Sequence, residues 1–325
     1  MSSSGNAIVF GAGGFIGSHL VERLKAEGFW VRGVDLKRPE FSPTAADDFV
    51  IADLRNASNL EACFDRTFDE IYQLAAEMGG AGYIFTGEND FDIFASSAAI
   101  NLNTARVCAN QKFGSLYFAS SACVYNHHKQ ASVDDYTCVE SSAYPAEPDS
   151  EYGWEKLFAE RLFQTLGRDL KARVRVGRYH NIFGPLGTWD GGREKAPAAI
   201  CRKVVQAADK TAIEIWGDGK QVRSFLYIDE CIEGTVRLMR SDVDEVVNIG
   251  SDEPVSINEL AEMAIEISGK TLTLNHVAGP QGVRARSSDN RLIEARLGWR
   301  PSRPLKEGIA KTYAWVESQV QAARS

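Results

Sequence analysis

The segment Gly11-Ala12-Gly13-Gly14-Phe15-Ile16-Gly17 constrains the fold of this chain more than any other. It follows the apolar run Ala7-Ile8-Val9-Phe10 and opens a stretch with helical spacing, Ile16, Leu20 and Leu24. A strand, a glycine turn and a helix in that order form a dinucleotide-binding unit. Gly11 permits the tight turn. Gly14 lets the backbone approach a pyrophosphate, and Gly17 lets the helix pack on the strand. Phe15 and Ile16 open the helix, whose N-terminus faces the phosphates. As a plain structural turn, the same glycines would need no acidic partner.

Such a partner is present. Asp35 ends the next strand, Trp30 to Val34, where a carboxylate bonds ribose hydroxyls and repels a 2′-phosphate. NAD is therefore expected over NADP, although Lys37 and Arg38 stand close by. Asp53 follows the third strand and is placed to reach the adenine; a helix cap is its plain alternative.

Apolar runs at 49–51, 71–74, 116–119 and 174–176 alternate with helical stretches. This predicts an α/β fold, a Rossmann doubly wound parallel sheet covered on both faces. Residues 1–178 are expected to form the NAD-binding domain. Residues 179–325 are read mainly as a smaller C-terminal α/β lobe that holds the substrate, with some segments returning to the sheet. Strands are expected at 213–216 and 224–228. Helices are expected at 230–239, 257–268, 292–297 and 306–322.

The net charge of −8, from 36 basic and 44 acidic residues, argues against a nucleic-acid surface. No run reaches the roughly 20 apolar residues of a membrane span, and Met1 to Asn6 lacks the pattern of a signal peptide. The six cysteines form no CxxC pair, and His127-His128 has no thiol at zinc-ligand spacing. Reduced thiols, a cytoplasmic location and no metal site are expected.

Tyr152 and Lys156 stand four apart on one predicted helix and share a face. A cationic lysine lowers a neighbouring phenol's pKa, which suits a proton acceptor for a hydroxyl. Alone, the pair is common on surface helices; behind a dinucleotide turn it points to catalysis. Ser120-Ser121-Ala122-Cys123 follows the fifth strand, at the end where open α/β sheets bind ligands. Together these features resemble the extended short-chain dehydrogenase/reductase superfamily over nearly the whole chain.

Longer strings narrow the resemblance. They are Ala75-Ala76-Glu77-Met78-Gly79-Gly80, Ser120 to Cys123, Ala143 to Pro148, Arg178 to Pro185, Gly191-Gly192-Arg193-Glu194-Lys195-Ala196-Pro197 and Trp216 to Gly219. With them the chain is similar to the GDP-mannose 3,5-epimerase family. The resemblance implies an isomerase that oxidises C4 of a hexose with bound NAD, Tyr152 acting as base. The 4-ketone acidifies the protons on C3 and C5. Cys123 and Lys195 would form the acid/base pair that inverts C3, C5 or both before C4 is reduced again. A lysine buried in such a site titrates low, and so does a cysteine near a cation.

The resemblance also implies a homodimer, through helices around 91–112 and 151–168. It further implies a GDP-sugar substrate, with Gly79, Ser121, Cys123, Asn181, Glu194, Lys195, Lys203, Arg223 and Arg284 as the residues that would hold it. The two arginines suit a diphosphate. Surface salt bridges are their plain alternative, as a buried apolar role is for Cys123 and a solvated one for Lys195. The chain departs from the family at Glu77, Ala81, Asn126 and through 83–93. A 4-epimerase would need no Cys/Lys pair. A 4,6-dehydratase typically uses an Asp-Glu pair where Ala122-Cys123 stands. A dinucleotide-sensing regulator could dispense with Tyr152.

Overall fold

The computed structural model describes residues 4–132, 136–279 and 282–324. Met1 to Ser3, which head the N-terminal run read above, lie outside the described residues. Seven parallel strands form the central sheet: Asn6–Phe10 (β1), Trp30–Asp35 (β2), Asp48–Ile51 (β3), Phe68–Gln73 (β4), Phe113–Ser121 (β5), Arg173–Tyr179 (β6) and Val247–Ile249 (β7). Their spatial order is β7-β6-β5-β4-β1-β2-β3. The order reverses between β1 and β4, which is where open sheets of this kind bind ligands.

The strands read as apolar runs because both faces are covered. Ala7 and Val9 enter one core, and Ile8 and Phe10 enter the other. The helices Phe15–Ala26 and Ile228–Met239 help cover the first face. Asp90–Ala109 and Glu151–Leu170 pack together over the second. The predicted elements are present with ends moved by a few residues, except that the strand read at 224–228 is broken. It appears as Val222–Ser224 and Leu226–Tyr227, and a helix begins at Ile228.

Chain segments beyond residue 179 divide. Val247–Ile249 completes the sheet as β7 beside β6. A four-stranded sheet joins Pro254–Ser256, Val222–Ser224, Ala285–Ser288 and Thr137–Cys138. Ala212–Trp216 pairs in parallel with Thr273–Val277. All six cysteines are buried, and none is in a disulfide among the described residues. No helix among the described residues is long and apolar enough to cross a membrane.

The glycine turn owes its shape to absent side chains. Gly11 has φ +85°, and a Cβ there would lie 2.8 Å from the Ala75 nitrogen. A Cβ on Gly17 would lie 2.0 Å from the Gly11 carbonyl oxygen, backbone against backbone. Gly17→Ala is therefore expected to destabilise the protein by at least about 1–3 kcal/mol and to weaken NAD binding. Chemical denaturation and a fluorescence titration with NAD check this; wild-type values in both would contradict it.

Candidate active site

One cavity of about 570 Å³ runs along the carboxyl ends of the strands. Its wall includes Gly11, Gly14, Phe15, Ile16, Gly17, Asp35 and Asp53 at one end, and Tyr152 and Lys156 in the middle. Gly79, Ser121, Cys123, Asn181, Glu194, Lys195, Lys203 and Arg223 complete the expected set. Arg284 is not on the wall.

The dinucleotide end fits its ligand. No side chain caps the helix that starts at Phe15, and no acidic residue sits in its first turn. Its leading N–H groups are thus left for an anion. Asp35 Oδ2 accepts a hydrogen bond from Gly13 N at 2.9 Å, which ties the turn to the end of β2. Burial raises the Asp35 pKa, against the backbone donors that lower it. Asp53 pairs with Arg55 at 2.7 Å. It does not cap the helix Ala57–Ala62; Asn56 does.

Tyr152 is 7% exposed and Lys156 2%. The Lys156 Nζ lies 5.7 Å from the Tyr152 ring centre and donates to the Ala119 carbonyl at 3.0 Å. Here the electrostatic expectation needs correction. Burial pushes the Tyr152 phenol well above its ordinary value, with charge on Cys123 and Glu155 adding to the rise. Desolvation of the phenolate outweighs the hydrogen bond with Ser121 that acts the other way. Burial likewise lowers the Lys156 pKa.

Cys123 lies in the short turn after β5, where Cys123 N donates to Ser121 Oγ at 3.2 Å. The thiol does have a cation: Arg286 donates to Sγ at 3.4 Å. Its pKa is nevertheless raised, first by burial and then by Asp149. Asp149 forms a buried ion pair with Arg286 and offsets its field. The low thiol pKa expected from a nearby cation is therefore not what this site produces. Lys195 behaves as expected. It is half-buried deep in the cavity, and burial lowers its pKa while charge on Cys123 and Cys231 opposes the fall.

The other expected residues are held in place by local bonds. Glu194 accepts from Gly192 N and from Arg202, each at 2.7 Å, which shapes the loop before Lys195. Asn181, at φ 43°, donates to the Ser224 carbonyl. Lys203 donates to the Glu214 carbonyl at 2.7 Å. Arg223 donates to the carbonyls of Val222 and Val283, and burial lowers its pKa to about 9. A Cβ on Gly79 would lie 2.8 Å from Tyr83.

Arg284 instead pairs with the exposed Asp218 at 2.8 Å. Arg286, two residues on in a fully buried strand, reaches the cavity where Arg284 does not. Sequence reading missed it, although an arginine in a buried stretch needs a buried partner. It also missed Gly153, where a Cβ would lie 2.1 Å from the Cys123 carbonyl oxygen. That glycine lets the tyrosine helix touch the cysteine turn. The third omission is Glu155, fully buried, which accepts from Asn101 at 2.8 Å.

The segment 83–93, expected to differ from the family, forms wall at Ile84 and Phe85. Glu77 accepts from Tyr83 at 2.8 Å and pairs with Arg193, whose guanidinium lies 4.0 Å from the Tyr83 ring centre. The loops at 77–85 and 191–195 thus clasp each other.

Residues 7–250 match the model of the NAD dependent epimerase/dehydratase family. The GDP-mannose 3,5-epimerase of Arabidopsis thaliana is 45% identical over 321 residues, 98% of this chain and 83% of that protein. The UDP-glucuronic acid decarboxylase 1 of Xenopus tropicalis is 27% identical over 323 residues, covering 97% and 72%. The crystal structure of UDP-glucuronic acid 4-epimerase from Bacillus cereus, in complex with UDP-glucuronic acid and NAD, superposes with TM-score 0.80. It is 26% identical, with 97% of this chain and 99% of that one covered.

Proposed function

We propose, from the premise that this chain belongs to the NAD dependent epimerase/dehydratase family, that it inverts C3 and C5 of GDP-mannose. The observation that carries the reading is the convergence of Tyr152, Cys123 and Lys195 on one cavity that also opens onto the glycine turn. The likeness to GDP-mannose 3,5-epimerase over 98% of the chain supports the substrate.

Bound NAD supplies the oxidation of C4 and its reversal, so no net redox change accompanies turnover. Gly11, Gly14 and Gly17, with the uncapped helix start, hold its diphosphate, and Asp35 holds its adenosine ribose. Lys156 orients the nicotinamide ribose. Tyr152 takes the proton of the C4 hydroxyl and later returns it. Burial favours the neutral phenol; the positive charge of a bound oxidised nicotinamide would act in the opposite sense.

With C4 a ketone, the C3 and C5 protons become acidic. Cys123 and Lys195 work as the pair that removes a proton from one face and supplies one to the other. Burial raises the thiol pKa and lowers that of the ammonium, so it favours the neutral form of each: an amine that can accept a proton and a thiol that can supply one. Arg286 fixes the thiol, and Arg223 supplies charge to the diphosphate. The nucleotide sugar is held mainly by the lobe at 179–325, with Gly79 contributed by the loop after β4 and Ser121 by the end of β5.

A homodimer belongs to the same reading. Trp154 and Phe158 are 41% and 43% exposed, and Phe91 82%, on the two helices that pack together. Trp154 and Phe158 lie four apart on one helix face. Light scattering at micromolar concentration should give twice the chain mass; a monomer refutes this part.

The test of the activity is its product. Incubation with GDP-mannose should give sugars epimerised at C3 and C5 in the NMR spectrum. A C4 epimer, a 6-deoxy-4-keto sugar or unchanged substrate contradicts the assignment.

A further inference from the structure

The histidine pair at 127 and 128 plays no part in the chemistry above and does not line the cavity. The fold brings a third ligand to it. One ligand atom each from His127, His128 and Glu147 lie within 4.8 Å of one another. Nε2 of His128 is 3.1 Å from Glu147 Oε1, and Nδ1 of His127 is 3.9 Å from the same oxygen. A tetrahedral zinc site, with bonds of about 2.0–2.2 Å, places its ligands roughly 3.3 Å apart. Side-chain rotation would draw this set together on an ion, and His127 Nδ1, now 3.3 Å from the Glu147 carbonyl oxygen, would exchange that contact for it.

The backbone around it is already organised. His127 N donates to the Glu147 carbonyl at 2.9 Å. Asn126 accepts from His128 N at 2.9 Å and donates to the Pro145 carbonyl at 3.2 Å. All three side chains remain accessible, with His128 70% exposed. An ion entering from solvent meets two imidazoles, one carboxylate and room for water, a donor set that suits Zn²⁺ and its borderline neighbours rather than Mg²⁺ or Ca²⁺.

The position gives the set a further consequence. Gln130, in the same turn as the histidines, accepts from Arg286 Nε. Asp149, two residues past Glu147, pairs with the other end of that guanidinium. An ion here would fasten together the two segments that grip Arg286 over the Cys123 thiol.

We infer that His127, His128 and Glu147 form a surface site for one zinc-class divalent ion, separate from the reaction centre, which clamps the turn at 126–130 to the segment at 144–149. The inference does not depend on the epimerase reading.

The test is calorimetric titration of the chelator-treated, NAD-loaded full chain with Zn²⁺ alone. One ion per chain is expected. His128→Ala and Glu147→Gln should each weaken binding by at least the roughly 10–100-fold that loss of an outer-shell partner costs. Cys123→Ala should leave binding intact. Because a variant can misfold, the unaltered protein is also titrated with Co²⁺, which should give d–d bands with no thiolate charge-transfer band. Non-saturable binding, binding indifferent to both ligand variants, or a thiolate band would each overturn the site.

Discussion

Tyr152→Phe is expected to lower turnover about 10²–10⁴-fold, the usual worth of a positioned general acid/base. The loss should fall on kcat, with NAD binding retained. The variant removes one oxygen and keeps the ring. That ring packs with Ile84, Ile93 and Cys123, so an unchanged Tm is expected. Without the phenol, the C4 hydroxyl has no acceptor for its proton, and every later step waits on the ketone. Stopped-flow absorbance of the nicotinamide at the start of turnover should be flat. Turnover within a few-fold of wild type would remove Tyr152 from the mechanism.

Cys123→Ala should separate what Tyr152→Phe abolishes together. Epimerisation is expected to fall by a similar factor, about 10²–10⁴-fold, because one member of the acid/base pair is gone. Oxidation at C4 does not use the thiol. The transient change in nicotinamide absorbance should therefore persist on addition of GDP-mannose. Arg286 loses its contact with Sγ but keeps Asp149 and Gln130, so the site should stay formed. A variant that epimerises at the wild-type rate would show that Lys195 works with another partner. Loss of the C4 step as well would mean that Cys123 shapes the site more than it reacts.

Much of this was legible in the residues because the signals are local. The run Ala7 to Phe10, the glycine turn and the helix from Phe15 form a contiguous unit of about one βα step. Tyr152 and Lys156 declare a shared helix face by spacing alone. Cys123 follows a strong strand, so its place at the mouth of the sheet follows from topology. Illegible features depend on distant partners. Val247–Ile249 is only three residues long and joins the sheet beside a strand some seventy positions earlier. Arg284 and Arg286 look alike in sequence. What separates them is Asp218 at the surface for one, and Asp149 with the buried thiol for the other.

The electrostatics were the least legible. A lysine four residues from a tyrosine and a cation beside a cysteine both suggest lowered pKa values. Burial reverses both expectations, and the ion pair of Arg286 with Asp149 adds to the second. Burial is a property of the assembled site and cannot be read from spacing. The glutamate at 147 likewise meets His127 and His128 only once the segment before the tyrosine helix folds back on the turn after Cys123.

The central claim is that protons at C3 and C5 are exchanged with solvent during a closed redox cycle at C4. Incubating the protein with GDP-mannose in D₂O and reading the sugar by NMR tests it most directly. Deuterium at C3 and C5, with C4 retaining its original hydrogen and no net change in NAD, is the predicted result. A product inverted at C4 without deuterium at its neighbours, or no exchange at any carbon, would contradict it.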